Sequence, residues 1–274
     1  MTIAHRKQSL ICCFMVIAFT LSGCTTVADK LLLYPSTHVI SVERSSREKI
    51  TFKRGVIEVV KARSPRVARD KVKVYVLSFF GNGDRPERWI SAQAHLWEDH
   101  NVEVWGVNYP GFGSSSGPAT LSSVCPAADE VFNRLKDRAL GKPIVVFGSS
   151  IGAATALHLA ANHSFAGIIA NNPPPIRDVV IRRYGWWNLW ILAGLTAKGI
   201  PDDLDSIRNA KNAKVRAYFL ISDHDLLIPL PFYQRVLDAY CQEKRVVILK
   251  GSHHNSKVAG PNFVSAMDWL IGTH

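Results

Sequence analysis

Ile144-Val145-Val146-Phe147-Gly148-Ser149-Ser150-Ile151-Gly152-Ala153 is the stretch whose reading decides the fold. An apolar run ends at Phe147, and a small-residue helix former, Ala153 to Ala161, follows it. Between them stands Gly148-x-Ser150-x-Gly152, which makes a strand, a sharp turn and a helix with a serine at the apex. The flanking glycines let strand and helix approach closely, and the turn forces Ser150 into a strained backbone conformation. The hydroxyl then stands proud of the sheet edge, beside the N-terminus of the next helix. That placement makes Ser150 the candidate nucleophile. A second match, Gly113-Ser114-Ser115-Ser116-Gly117, follows a strand-like run but leads into Pro118 and a Gly/Ser/Pro-rich stretch. It reads as an open loop, and Ser115 lacks the helix that the chemistry needs.

Working outward, residues 50–63 and 72–79 read as strands, with a basic turn around Ser64-Pro65-Arg66. Helices are expected at 89–100, 121–139, 151–163, 232–241 and 262–271. Strands are expected at 102–109, 144–147, 166–170, 215–222 and 246–250. This alternation predicts an α/β chain with a mostly parallel sheet covered on both faces. In such sheets the chemistry collects beyond the carboxyl ends of the strands. Ser150 and the loops at 81–84, 223–229 and 251–255 all follow predicted strands, so they are expected on one edge.

A serine hydroxyl needs a base to take its proton, and the base needs an acid to fix its tautomer. The order expected in this kind of fold is Ser, then Asp or Glu, then His. Downstream of Ser150 the acid candidates at a strand end are Asp223 and Asp225, in Ser222-Asp223-His224-Asp225-Leu226-Leu227-Ile228-Pro229. The base candidates are His253 and His254, in Gly251-Ser252-His253-His254-Asn255. A lone Asp in such a place is usually a turn residue, and it is the ordered set that carries the reading.

These strings, with Phe79-Phe80-Gly81-Asn82-Gly83 and Asn108-Tyr109-Pro110-Gly111-Phe112-Gly113, resemble the α/β-hydrolase fold of serine hydrolases. The chain is similar to the bacterial branch near the BEM46- and ABHD13-type proteins over about residues 50–272. The resemblance implies Asp225 as acid, since D-x-x-[VI]-P fits it and not Asp223. It implies His254 as base, since it precedes Asn255. The oxyanion hole needs two backbone N–H groups. One is expected from Ile151, after the nucleophile, and the other from Asn82. The chain departs from the branch at Phe80, where a His is usual, which bears on how that loop is braced. The resemblance also implies a helical lid insertion at about 172–205. Trp186, Trp187 and Trp190 lie on a helical spacing there with Ile191 and Leu195. They are read as lid residues that line an apolar pocket, touch a bilayer or simply pack the lid down.

The N-terminus carries its own signal. His5-Arg6-Lys7 precedes an apolar run from Leu10 to Thr20, too short to span a membrane comfortably, and then Leu21-Ser22-Gly23-Cys24. This resembles a bacterial lipobox and implies a signal peptide over residues 1–23 with acylation of Cys24. Several acyl chains make a stable anchor where one is marginal. In the lipoproteins it resembles, an Asp after the cysteine favours inner-membrane retention, so Thr25 implies an outer-membrane address facing the periplasm if the cell is Gram-negative. Residues 24–45 then read as a lipidated N-terminus and linker, and residues 46–274 as the hydrolase domain, large enough for one substantial core.

The net charge of the whole chain is +11. Its excess concentrates at residues 43–73, with 11 Lys/Arg against four Asp/Glu. A solvated hairpin with a basic face is the first reading, and contact with anionic headgroups the second. No motif supports nucleic-acid binding. Cys12 and Cys13 leave with the leader, while Cys125 and Cys241 stay either free or paired. No metal-ligand spacing and no cofactor motif is present, so no metal or cofactor is expected. The expectation is a membrane-anchored serine hydrolase acting on an ester or related acyl bond of a small or lipid-like substrate. Its rivals are a peptidase or thioesterase on the same scaffold, and a non-catalytic envelope protein that uses the fold to bind.

Overall fold

A computed structural model describes residues 25–65, 67, 68, 71–185, 191–256 and 259–272. The expected signal peptide over residues 1–23, Cys24, Trp186, Trp187 and Trp190 lie outside the described residues.

Eight strands form one sheet. In chain order they are β1 (Ser45–Phe52), β2 (Gly55–Arg63), β3 (Val74–Phe79), β4 (Val102–Val107), β5 (Ile144–Ser149), β6 (Gly167–Asn171), β7 (Ala217–Ser222) and β8 (Lys244–Leu249). Their spatial order is β1-β2-β4-β3-β5-β6-β7-β8. The β1–β2 and β2–β4 pairs are antiparallel and the other five are parallel. This is the α/β-hydrolase fold.

The helices are α1 (residues 25–32), α2 (Ile90–Leu96), α3 (Leu121–Ala139), α4 (Ile151–Asn162), α5 (Ile176–Gly185), α6 (Ile191–Lys198), α7 (Ser206–Lys211), α8 (Leu230–Ala239) and α9 (Pro261–Ile271). Side chains along the central strands alternate between two cores because the strand period is 2. Ile144 and Val146 of β5 face the side covered by α3, α4, α7 and α8, whereas Val145 and Phe147 face α2 and α9. Phe219 and Ile221 divide from Tyr218 and Leu220 in the same way on β7. Near-continuous apolar runs follow from burial on both faces.

Helix α4 is buried on nearly every side, as its Ala-rich sequence requires. It lies so close to the sheet that a Cβ on Gly152 would fall 2.3 Å from the Phe79 carbonyl oxygen. Gly152→Ala is therefore expected to push α4 off β3 and destabilise the chain by about 1–3 kcal/mol. Calorimetry should read this as a melting temperature lower by several degrees; an unchanged transition would contradict the close approach.

Three local readings are corrected. The run 50–63 is not one strand: Lys53-Arg54 and Gly55, at φ 137°, reverse the chain into the β1–β2 hairpin. Within this basic region Arg47 pairs with Glu58 at 2.6 Å, Lys61 with Glu48 at 2.7 Å and Arg63 with Glu103 at 2.7 Å. The stretch 89–100 breaks into α2 and flanking 3-10 turns. The stretch 24–45 is more than a linker, since residues 25–32 are helical and Ala28 and Leu33 are buried. Of the lid helix expected from Trp186 to Leu195, residues 186–190 lie outside the described residues and Ile191 to Leu195 fall within α6, with α5 before them. Cys125 and Cys241 are both free thiols, one buried and one exposed.

Candidate active site

The sheet order reverses beside β5, and the loops leaving β3, β5, β7 and β8 gather at its carboxyl edge. That is where a crevice forms in an open parallel sheet. Ser150 stands at the apex of the β5–α4 turn with φ 54° and ψ −121°, a conformation costly for a residue with a Cβ. Gly148 is required below it, because a Cβ there would lie 2.2 Å from the Gly152 carbonyl oxygen.

The Ser150 Oγ lies 3.0 Å from His254 Nε2, and His254 Nδ1 lies 2.6 Å from Asp225 Oδ2. Facing a carboxylate, Nδ1 must carry the proton of the neutral ring, so Nε2 is the acceptor for the Ser150 O–H. Asp225 is buried at the start of the β7–α8 loop. Its Oδ1 accepts the N–H groups of Leu227 and Ile228, each at 2.9 Å. Its Oδ2 also accepts the Tyr233 hydroxyl. Burial pushes the Asp225 carboxyl up, but hydrogen bonds from His254, Tyr233 and Ile228 outweigh it, and the group is held below its ordinary value.

The alternatives to these residues face elsewhere. Asp223 Oδ1 bonds His224 Nδ1 at 2.8 Å, and His253 Nδ1 bonds the His224 carbonyl at 3.0 Å. Ser115 is buried, accepting the Glu58 N–H at 2.8 Å and donating to the Asn108 carbonyl at 2.7 Å. The second serine motif is thus a structural lock between the β4–α3 loop and β2.

Asn82 and Ile151 line the same apolar pocket as Ser150. Neither backbone N–H donates to another group among the described residues, which leaves both open to an incoming oxygen. The Asn82 side chain is held by the Tyr34 N–H, whose bond to Oδ1 is 2.9 Å. Phe80, the departure noted in the sequence, is buried with its ring 6.1 Å from that of Phe147. It packs into the core between the sheet and α2 and α9. Among the described residues no three His, Cys, Asp or Glu side chains group as metal ligands.

Tyr233 is a residue that motif reading misses. It lies on α8, and nothing local marks it as a partner of Asp225. Burial, and then the bond to Asp225, push its phenol far up, so it is a donor at any working pH. Tyr233→Phe is expected to lower kcat by about tenfold, the scale of one hydrogen bond to a charged group, with KM nearly unchanged. Steady-state ester kinetics check this, and an equal loss in KM alone would count against a positioning role.

A family model for the alpha/beta hydrolase fold matches residues 76–197. An uncharacterized protein of Mycobacterium tuberculosis (strain H37Rv) is 26% identical over 179 residues, covering 64% of this chain. The match spans 61% of that relative's length. Among solved structures, the Pyrococcus furiosus esterase Pf2001 superposes with a TM-score of 0.64 at 15% identity, covering 88% of this chain and 95% of the esterase. A Xanthomonas campestris a/b serine hydrolase without lid gives 0.57 at 16% identity, covering 86% and 94%. At these identities the likeness concerns the fold.

Proposed function

We propose that this α/β-hydrolase fold belongs to a membrane-anchored serine hydrolase that cleaves a carboxylic ester or related acyl bond. The observation that carries the reading is the unbroken relay from Ser150 Oγ through His254 to Asp225 at the crevice. An esterase and a serine hydrolase among the fold neighbours support it. Ser150 Oγ adds to the acyl carbonyl carbon while His254 Nε2 takes its proton. Asp225 holds the ring and stabilises the imidazolium. The N–H groups of Ile151 and Asn82 hold the oxyanion, at about 2.7–4 kcal/mol of barrier each. His254 then gives the proton to the leaving group, and water releases the acyl group by the reverse sequence.

Cys24 is the proposed site of lipidation, after removal of residues 1–23, with the protein in the bacterial envelope, at the outer membrane facing the periplasm. Among the described residues no helix is long and apolar enough to cross a membrane. Leu31 follows Cys24 by seven positions, about 10 Å at the rise of a helix. The crevice would then open close to the bilayer surface.

Labelling of the full-length, detergent-solubilised protein with a fluorophosphonate tests the chemistry. Covalent label on Ser150, lost on prior heat denaturation, is the expected result. A folded protein that stays unlabelled would leave the binding-module reading in its place.

A further inference from the structure

Ser150 stands on the partition between two hollows of different character. One, of about 210 Å³, lies between residues 31–34 and helix α5, with Leu31, Leu32, Ile176, Val179 and Val180 in its walls. The other, of about 460 Å³, lies on the far side of Ser150 and is lined by His254, Asn255, Asp84, Arg88 and Trp89. Tyr34 and Asn82 border both.

The chemistry assigns the two sides. The group that protonates the leaving oxygen is His254, and a proton donor must lie within hydrogen-bond reach of its acceptor. His254 lines only the second hollow among these two. The leaving alcohol therefore lies there and the acyl chain in the first. The acyl side is walled mainly with leucine, isoleucine and valine, with Arg183 and Tyr184 of α5 also in its lining, and its volume is below the roughly 300 Å³ at which drug-sized pockets begin. That volume matches one short acyl chain. The alcohol side is larger and carries more polar groups, with Arg88 3.4 Å from Asp84 and the Trp89 indole N–H bonded to the same carboxylate, beside Phe80 and Leu227.

The wall formed by residues 31–34 is built in. The Asp29 carboxylate accepts the Leu121 N–H at the start of α3, at 2.7 Å. Past Tyr34, the Gly113 N–H donates to the Ser36 carbonyl at 3.0 Å, and buried Arg85 donates to the His38 carbonyl at 2.5 Å. The segment is thus held from both ends while its middle faces the nucleophile.

We propose that the enzyme takes short-chain acyl esters of bulky polar alcohols, with residues 31–34 setting the acyl length. This rests on the serine hydrolase reading. The Ser150 Oγ–acyl bond forms as the acyl C–O bond to the alcohol breaks, and the Ser150 proton passes through His254 to the departing oxygen. Water then yields the free short-chain acid.

The test is a series of p-nitrophenyl esters from acetyl to palmitoyl, hydrolysed by the full-length protein and by Leu31→Trp and Leu32→Ala. Each methylene that enters the pocket is expected to raise kcat/KM about fourfold until the pocket is full. The profile should peak at a short chain and fall at least about tenfold by palmitoyl. Leu31→Trp should raise the acetyl-to-octanoyl ratio about tenfold, and Leu32→Ala should lower it. A palmitoyl optimum, or a profile that neither variant moves, overturns the proposal. On the alcohol side, Trp89→Ala should raise KM for a butyryl ester of a disaccharide at least about fivefold more than for p-nitrophenyl butyrate. Equal changes overturn that half. Fluorophosphonate labelling separates the two levels: no label on Ser150 defeats the hydrolase reading itself, whereas label with a flat ester profile defeats the substrate class alone.

Discussion

Ser150→Ala is expected to lower kcat/KM for a short-chain p-nitrophenyl ester by at least about 10⁴-fold, with KM little changed and fluorophosphonate labelling lost. The size of the loss follows from the absence of a substitute. The neighbouring Ser149 hydroxyl is engaged by the Asn171 side-chain amide at 3.1 Å, and Ser115 is buried in its two hydrogen bonds. The His254 ring bonds Ser150 and Asp225 and neither of these. The alanine keeps the Cβ and the φ of 54°, so the turn, the two N–H donors and both hollows stay in place. Binding should survive while covalent chemistry stops, and an unchanged melting transition would show that the fold did too. A loss of less than about tenfold would mean that another group attacks the substrate.

The parts of this molecule that were legible in the sequence are those coded by neighbours. The Gly148-to-Gly152 turn carries its glycines because a Cβ at either would strike backbone, and that constraint is written within five residues. Asp225 and His254 each follow a strand and each brings a local string, so the order Ser, Asp, His placed all three at one sheet edge. The structure sets them 3.0 and 2.6 Å apart in a line. What stayed hidden depends on contacts between distant segments. The Tyr34 N–H meets Asn82 across 48 positions, and the Asp29 carboxylate meets the Leu121 N–H across 92. No local pattern announces such pairings. Ala28, Leu31 and Leu32 do carry the i, i+3, i+4 spacing of a short amphipathic helix, a signal easily lost in so short a run before Pro35. Tyr233 gave no signal, because one buried phenol on an apolar helix face looks like core until Asp225 is placed above it. The β1–β2 hairpin was hidden for a different reason. Its turn is two basic residues and a glycine, and β-propensity runs through both arms without a break.

Asp225→Asn is expected to lower kcat by about 10⁴-fold while the protein stays folded. The asparagine carbonyl oxygen can keep the Leu227 and Ile228 N–H bonds that Oδ1 now accepts. Its amide NH₂ would then point where Oδ2 stood, toward two donors: the Tyr233 O–H and the His254 Nδ1–H. Donor against donor is untenable in a buried site. The imidazole answers by moving its proton to Nε2, which makes Nδ1 an acceptor for the amide. Nε2–H then faces the Ser150 hydroxyl and can no longer take its proton. The loss is thus one of tautomer, beyond that of a charge. It should appear in kcat with KM nearly constant, and in a matching fall in the rate of fluorophosphonate labelling. Stability gives an independent reading. The Asp225 carboxyl is held below its ordinary value in the folded protein, so its stabilising share is complete above the unfolded value, about 4. That share is lost as pH falls through the lower folded value. The gap in melting temperature between Asp225 and the asparagine variant should therefore be widest near neutral pH and narrow in acid. A variant that loses activity with the wild-type labelling rate, or a gap that widens in acid, would break the link between Asp225, the His254 tautomer and Ser150.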